Sequence, residues 1–187
     1  MPSFYSEEEL INLGLKSYGS NVRISRNACF YGASNISVGD NVRIDDFCIL
    51  SGYITLGSNI HIAAYTALYG GKDGIVIDDF ANLSSRICVY SVSDDYSGET
   101  MTNPTIPDEY KNVTSAPVHI GKHVIIGSTS VVLPGVNVAE GSSFGSFSFI
   151  NRDPEPWSIN AGIPFKKIKD RGKNLLELEK KYLESRE

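Results

Sequence analysis

Residues Ile120–Ile150 read IGKHVI-IGSTSV-VLPGVN-VAEGSS-FGSFSF-I, with an apolar residue opening every block of six. The openers, position i, are Ile120, Ile126, Val132, Val138, Phe144 and Ile150, while position i+4 carries Val124, Ser130, Val136, Ser142 and Ser148. Side chains alternate along a strand, so i and i+4 share a face and both must meet one narrow interior. Gly, Pro, Asn and Ser punctuate each block, so no strand lasts and the chain bends once per block. Six-residue self-similarity of this kind marks a parallel β-helix, in which three blocks make a turn and turns stack with strands about 4.8 Å apart. The period alone leaves the handedness open.

Upstream, Ile24, Phe30, Val38, Ile44, Leu50, Leu56, Ile62 and Leu68 keep the same count, with a two-residue slip after Phe30. Their i+4 partners, Ala28, Ser34, Val42, Cys48, Ile54, Ile60 and Thr66, are small or aliphatic. After Leu68 the string YGGKDGIV inserts extra residues, a glycine-rich bulge of the kind that often approaches a ligand or neighbour. Ile77, Leu83 and Val89 resume the count, which breaks after Asp94. Residues 95–119, DYSGETMTNPTIPDEYKNVTSAPVH, then leave the coil. A loop this long is usually functional or mobile, and Pro104, Pro107 and Pro117 favour a constrained active-site arm.

Both ends read as helical. Ser6 and Glu9 form a capping box with Tyr5 and Leu10 as its hydrophobic staple, which predicts a helix over Ser6–Leu13. From Asn174 to Ser185, Leu175, Leu176, Leu178, Tyr182 and Leu183 recur at helical spacing, with Asn174 as N-cap and Glu177 and Lys181 four apart. This helix is expected to cover an open end of the coil or dock on a neighbour. The organisation is therefore a helical cap over 1–17, a coil over 18–151 with the loop 95–119 extruded, and a tail with a helix over 152–187.

At 187 residues, 41% hydrophobic and 21% charged, the chain suits one soluble globular domain. A net charge of −5 argues against nucleic acid as a partner. Cys29, Cys48 and Cys88 form no CxxC pair, and their odd number suits reduced thiols in the cytoplasm. Cys48, at i+4, reads as core filling. No apolar run approaches the roughly 18 residues of a membrane span, and MPSFYSEEEL lacks the basic-then-apolar pattern of a signal peptide.

The blocks IGSTSV, VGDNVR and FGSFSF match [LIV]-[GAED]-x-x-[STAV]-x, and AGIPFKKIK matches AG-x-P-A-K-x-I with Phe165 where alanine is usual. In both, the chain resembles the hexapeptide-repeat acyltransferases. FYSEEELINLG, VRIDDFCILSG, DDYSGE, MTNPTIP and PWSINAGIPFKKIK are similar to bacterial acyltransferases of dTDP-4-amino-4,6-dideoxyglucose and to galactoside acetyltransferase-like proteins. The resemblance implies an all-β, left-handed triangular coil, a homotrimer, acetyl-CoA as co-substrate without a metal, and active sites between adjacent subunits. The acceptor it implies is a nucleotide-linked sugar used in O-antigen or other surface polysaccharide.

Acyl transfer needs a base, donors for the thioester oxyanion and a slot for pantetheine. The family's O-acetyltransferases place a catalytic histidine in a Gly-His-Pro segment where the coil breaks, and here Ser93-Asp94-Asp95 stands instead. His61 is the first candidate base, at an outward i+5 position, with Asn82 one turn later as an acceptor-binding or oxyanion residue. Asp94 is the alternative base or a ligand for an amino group, which favours N- over O-acylation. Asp95, Tyr96 and His123 are candidates for substrate binding, whereas His119 reads as a surface residue. Gly127, Ser128, Gly145 and Ser146 are small enough to let pantetheine lie along the coil. Lys166, Lys167 and Arg171, with Lys169 between, suit the coenzyme's phosphates, and Trp157 suits stacking on a ligand or packing the tail. A sugar O-acetyltransferase is the nearest alternative. A zinc enzyme of γ-carbonic-anhydrase type would need three converging histidines, and a non-catalytic trimeric scaffold would bind no acetyl-CoA.

Overall fold

The structure, a computed structural model, describes residues 3–186. Each turn of the chain contributes one short strand to each of three parallel sheets, the walls of a triangular prism. Sheet I has six strands, from Ser17–Tyr18 to Asn137–Val138, and sheet III has six, from Cys29–Tyr31 to Phe149–Ile150. Sheet II has eight, beginning at Arg23–Ile24, and only its last strand, Lys166–Asp170, runs antiparallel to its neighbour. Every opener is buried except Phe30, which packs half-buried near the N-terminal end.

Small hydroxyl residues at i+4 are buried because each finds a carbonyl. Ser130 Oγ donates to Gly127 O at 2.7 Å, Ser148 Oγ to Gly145 O at 2.6 Å, and Thr66 Oγ1 to Ser84 O at 3.0 Å. A buried hydroxyl without such a partner would cost about 1–3 kcal/mol. Cys48 fills the same position, wholly buried, and burial pushes its thiol up to about 11. Ser34 departs from the expectation. The short 3-10 turn Ala33–Asn35 absorbs the two-residue slip, leaving Ser34 exposed while Ile36 takes the interior.

The corners are built differently. Between sheets I and II, Asn41, Asn59, Phe80, His123 and Trp157 have positive φ, and each donates its N–H to a carbonyl of the preceding turn. Between II and III, Phe47, Tyr65, Arg86, Thr129 and Phe147 do the same. Non-glycine residues rarely adopt this conformation, so the hydrogen bond to the turn below compensates a backbone cost of about 1–2 kcal/mol. The third corner uses glycine at Gly32, Gly52, Gly71 and Gly135.

Both coil ends are closed from within. Helix α1, Glu7–Asn12, has the capping box of Ser6 and Glu9, and its Leu10 joins the core with Tyr5 packed beside it. At the other end Phe165 is buried, meets Phe144 edge-on at 5.2 Å and lies under Arg152 at 4.4 Å. Helix α2, Leu175–Glu184, therefore covers no end, contrary to one of the sequence expectations. It lies along the corner between sheets I and II, where Tyr182 Oη donates to Asn59 Oδ1 at 3.1 Å and Glu179 meets Lys122 and His123. Asn174 does not cap it: its backbone is already helical and its side chain accepts nothing from the first turn.

Where the coil breaks, Val92–Ser93 pairs antiparallel with Thr114–Ser115, so the arm is a hairpin rooted on the corner between sheets III and I. The glycine-rich bulge serves that root. A Cβ on Gly71 would stand 2.8 Å from Val92 Cγ2, and Asp73 accepts a hydrogen bond from Ser115. The close approach seen there is to the chain's own arm.

Candidate active site

His61 and Asn82 stand on neighbouring strands of sheet II as Cα partners, the outward stack that their shared i+5 position predicts. His61 Nε2 lies 2.8 Å from Asp45 Oδ2, and Arg43 Nε lies 2.7 Å from the other oxygen. Partial burial would raise the Asp45 carboxyl, but the bonds from His61 and Arg43 outweigh it and hold the group below the usual carboxylate range. The result is a histidine–carboxylate dyad on a rigid strand. Asn82 is different: its Oδ1 is buried and has no hydrogen-bond partner among the described residues.

Asn82 opens into a cavity of about 470 Å³ between the corner and α2, which His123 and Arg171 also line. His123 is buried, stacks on Phe80 at 5.2 Å, faces Trp157 at 6.2 Å and lies 2.8 Å from Glu179 Oε2. Trp157 thus packs the tail. Arg171 is committed as well, donating from Nη1 to His123 O at 2.8 Å and Gly141 O at 2.9 Å. That one nitrogen ties the tail to two turns of the coil, a structural role the sequence did not indicate.

Asp94 lies elsewhere, at the root of the arm. It is exposed, and its carboxylate makes no hydrogen bond or ion pair among the described residues. It lines a cavity of about 620 Å³ whose walls include Tyr90, Tyr96, Val131, Leu133 and Phe149. Burial, then Cys88, pushes the Tyr90 phenol up to about 12, so it remains a hydrogen-bond donor there. Tyr96 is 92% exposed at the rim. Asp95, expected to hold substrate, is instead occupied within the arm: its carboxylate accepts from Ser97 N at 2.8 Å, Ser97 Oγ at 2.9 Å and Thr100 Oγ1 at 2.9 Å. The first of these bonds does most to lower its pKa.

The small residues expected to admit pantetheine have a prior obligation to the coil. A Cβ on Gly127 would stand 2.5 Å from Ser146 N, and one on Gly145 would stand 3.2 Å from Ala161 Cβ. Ser128 Oγ is 3.4 Å from Ser85 Oγ. Lys167 is held by Glu155 at 2.6 Å and Asp170 at 2.7 Å, whereas Lys166 is exposed. The three histidines stand apart: His61 on sheet II, His123 under α2, and His119 on sheet I between Asp78 and Asn137.

Within one chain, then, His61 and Asn82 lie on sheet II, and Asp94 lies beyond the far edge of sheet III. Sheet III presents outward a row of Ile49, Ala67, Cys88, Val131 and Phe149 in continuous register. A prism of three parallel sheets with an arm rooted at one corner defines a hexapeptide-repeat protein of the parallel β-helix class.

No protein-family model matches the sequence. The chain is 49% identical over 180 residues to the dTDP-4-amino-4,6-dideoxy-D-glucose acyltransferase of Escherichia coli, covering 95% of this chain and 93% of that one. AntD, an N-acyltransferase from Bacillus cereus, in complex with dTDP and 3-hydroxybutyryl-CoA, has the same fold with a TM-score of 0.97 at 52% identity, over 99% of this chain and 98% of AntD. The galactoside O-acetyltransferase of Escherichia coli (strain K12) is 29% identical over 84% of this chain and 60% of its own length. The chain belongs to the hexapeptide-repeat acyltransferase family, and its coil is that family's left-handed parallel β-helix. Ser84, directly after the Asn82–Leu83 strand of sheet II, stands two residues beyond Asn82 and carries no motif of its own in the sequence.

Proposed function

We propose that the chain is a homotrimeric, cytoplasmic N-acyltransferase that moves the acetyl group of acetyl-CoA to the 4-amino group of a dTDP-linked 4-amino-4,6-dideoxy sugar, for O-antigen or other surface polysaccharide. The observation that carries this reading is the unpartnered carboxylate of Asp94, standing where the family's O-acetyltransferases keep a histidine. A hydroxyl acceptor needs a base during attack. An amine needs only to be deprotonated and held, because the neutral amine is itself a nucleophile. Asp94 attracts the sugar ammonium and accepts one proton, which passes on to solvent; the neutral nitrogen then attacks the thioester carbonyl, the C–N bond forms, the C–S bond breaks, and the second proton lost from the nitrogen goes to the departing thiolate of CoA. AntD has been crystallised with dTDP-4-amino-4,6-dideoxyglucose and coenzyme A, and with substitutions D94A and S84A; this chain has Asp94 and Ser84.

The division of the site supports the trimer. Covering the apolar row of sheet III with a second copy would bury Val131 and Phe149 and set Asp94 of one copy against sheet II of the next, where His61, Asn82 and Ser84 stand. Among the described residues, no helix is long and apolar enough to cross a membrane. Reduced thiols and the use of acyl-CoA agree with the cytoplasm. The deciding assay follows thiol release from acetyl-CoA with dTDP-4-amino-4,6-dideoxyglucose or a simple galactoside as acceptor. Release with the amino sugar alone is expected; release with the galactoside alone would overturn the reading and return the base to the His61–Asp45 dyad.

A further inference from the structure

Beside Asp94 the cavity at the root of the arm is walled by Val92, Val131, Leu133 and Phe149, all apolar, and its side-chain hydroxyls belong to Tyr90, Ser93 and Tyr96. Ser93 Oγ donates to the Asp94 carbonyl at 3.3 Å, and Tyr96 stands exposed at the rim. Tyr90 is the enclosed one. The polar side chain next to its phenol is the Cys88 thiol, a weak hydrogen-bonding partner. Its position is nonetheless fixed. Tyr90 ends the strand Cys88–Tyr90, and its ring stacks on that of Tyr69, its Cα partner one turn earlier, with centroids 5.1 Å and planes 14° apart. The next residue, Ser91, is fully buried and donates to Tyr69 O from its N at 2.9 Å and its Oγ at 3.1 Å.

We propose that Tyr90 is a catalytic residue of the acyl transfer, its phenol donating a hydrogen bond to the thioester carbonyl oxygen as negative charge gathers there. As the C–N bond forms, the carbonyl π pair moves onto that oxygen. When the C–S bond breaks the pair returns, and Tyr90 keeps its proton throughout. The oxyanion and the attacking nitrogen share one carbon, so the donor for the first must stand near the carboxylate that holds the second. Asp94 and Tyr90, on the walls of one cavity, meet that condition. A donor held in place by stacking costs no reorganisation during the reaction, and apolar walls that exclude water make its bond to a developing charge count for more. With its pKa pushed up to about 12, the phenol stays a donor at any ordinary pH. The inference rests on the proposed function, which sets the reaction at Asp94.

The test is steady-state kinetics of the intact protein with acetyl-CoA and dTDP-4-amino-4,6-dideoxyglucose, run beside Asp94→Ala. Tyr90→Phe keeps the ring and its stack, so kcat should fall about 100-fold, the loss typical of one oxyanion donor, while both KM values and the melting temperature hold. If Tyr90→Phe does not fold, site-specific replacement of Tyr90 by 3,5-difluorotyrosine, a more acidic phenol of nearly the same size, serves instead. Its turnover should drop with rising pH as the phenol ionises, at a lower pH than any drop in the wild type. A hydroxyl that only packs against Cys88 would leave that profile unmoved. Given a slow Asp94→Ala, any of three results overturns the inference alone: normal kcat in a folded Tyr90→Phe, a rise in KM without a fall in kcat, or a wild-type pH profile in the fluorinated enzyme. Normal turnover in Asp94→Ala would instead break the proposed function, and the inference with it.

Discussion

The corner beneath α2 and the cleft at the root of the arm hold similar polar residues and use them oppositely. Under α2, His123, Glu179, Lys122 and Arg171 are bound to one another or to backbone and Tyr182 to the Asn59 amide, while the buried Oδ1 of Asn82 has no partner among the described residues. At the arm, Asp95 is spent on the local turn while its neighbour Asp94 is left free beside a cavity. Adjacent, chemically identical carboxylates thus differ in their partners: Asp95 is committed to the turn, and Asp94 has none among the described residues. A group already satisfied by the fold has little left to offer a ligand.

That contrast can be broken most directly at Asp94. Asp94→Ala should lower turnover by about 100-fold with an unchanged melting temperature, because the side chain supports no fold contact. A stable variant with normal thiol release would place the chemistry elsewhere. The reverse pattern is expected for Arg171→Ala, which removes two charge-assisted bonds to backbone: about 2 kcal/mol of stability in urea unfolding, with CoA affinity intact. If CoA binding fell instead, Arg171 would belong to the coenzyme. His61→Ala should depress turnover about tenfold while the oligomeric state and CoA binding are unchanged, and normal turnover would remove the dyad from catalysis.

A smaller effect concerns pH. Burial would raise the Glu179 carboxyl, but Lys122 and His123 outweigh it and hold the group below its ordinary 4.5. A depressed carboxyl contributes its stability above the unfolded pKa, so the docking of α2 should weaken as pH falls below 4.5 through the folded value. Fluorescence of Trp157, the single tryptophan, should report the loosening, and Glu179→Gln should remove its pH dependence. Smallest of all, Lys167→Ala should leave both melting temperature and CoA affinity where they were, since its ion pairs with Glu155 and Asp170 are exposed.

The site was only partly legible in the sequence. His61 and Asn82 could be stacked by counting, because residues one turn apart in a coil are strand neighbours. Asp94 stood out because a known motif was missing there. The count said nothing about partners. Arg171 and Lys167 read as free cations, Asp95 as a free anion and Gly127 as room for a ligand, yet Arg171 is committed to the His123 and Gly141 carbonyls, Lys167 to Glu155 and Asp170, Asp95 to its own turn and Gly127 to the backbone of the next turn. Phe165, an apparent departure from the family's alanine, proved to be the plug of the coil.

By itself, the sequence determined the coil, its core, the arm's point of departure and the capped first helix, since all rest on short-range periodicity or local hydrogen bonding. Only the tertiary structure decided where α2 lies, what Arg171 holds and which amide oxygens are buried without a partner among the described residues. Those outcomes depend on side chains brought together by stacking turns and by the tail folding back, contacts that no spacing along the chain encodes.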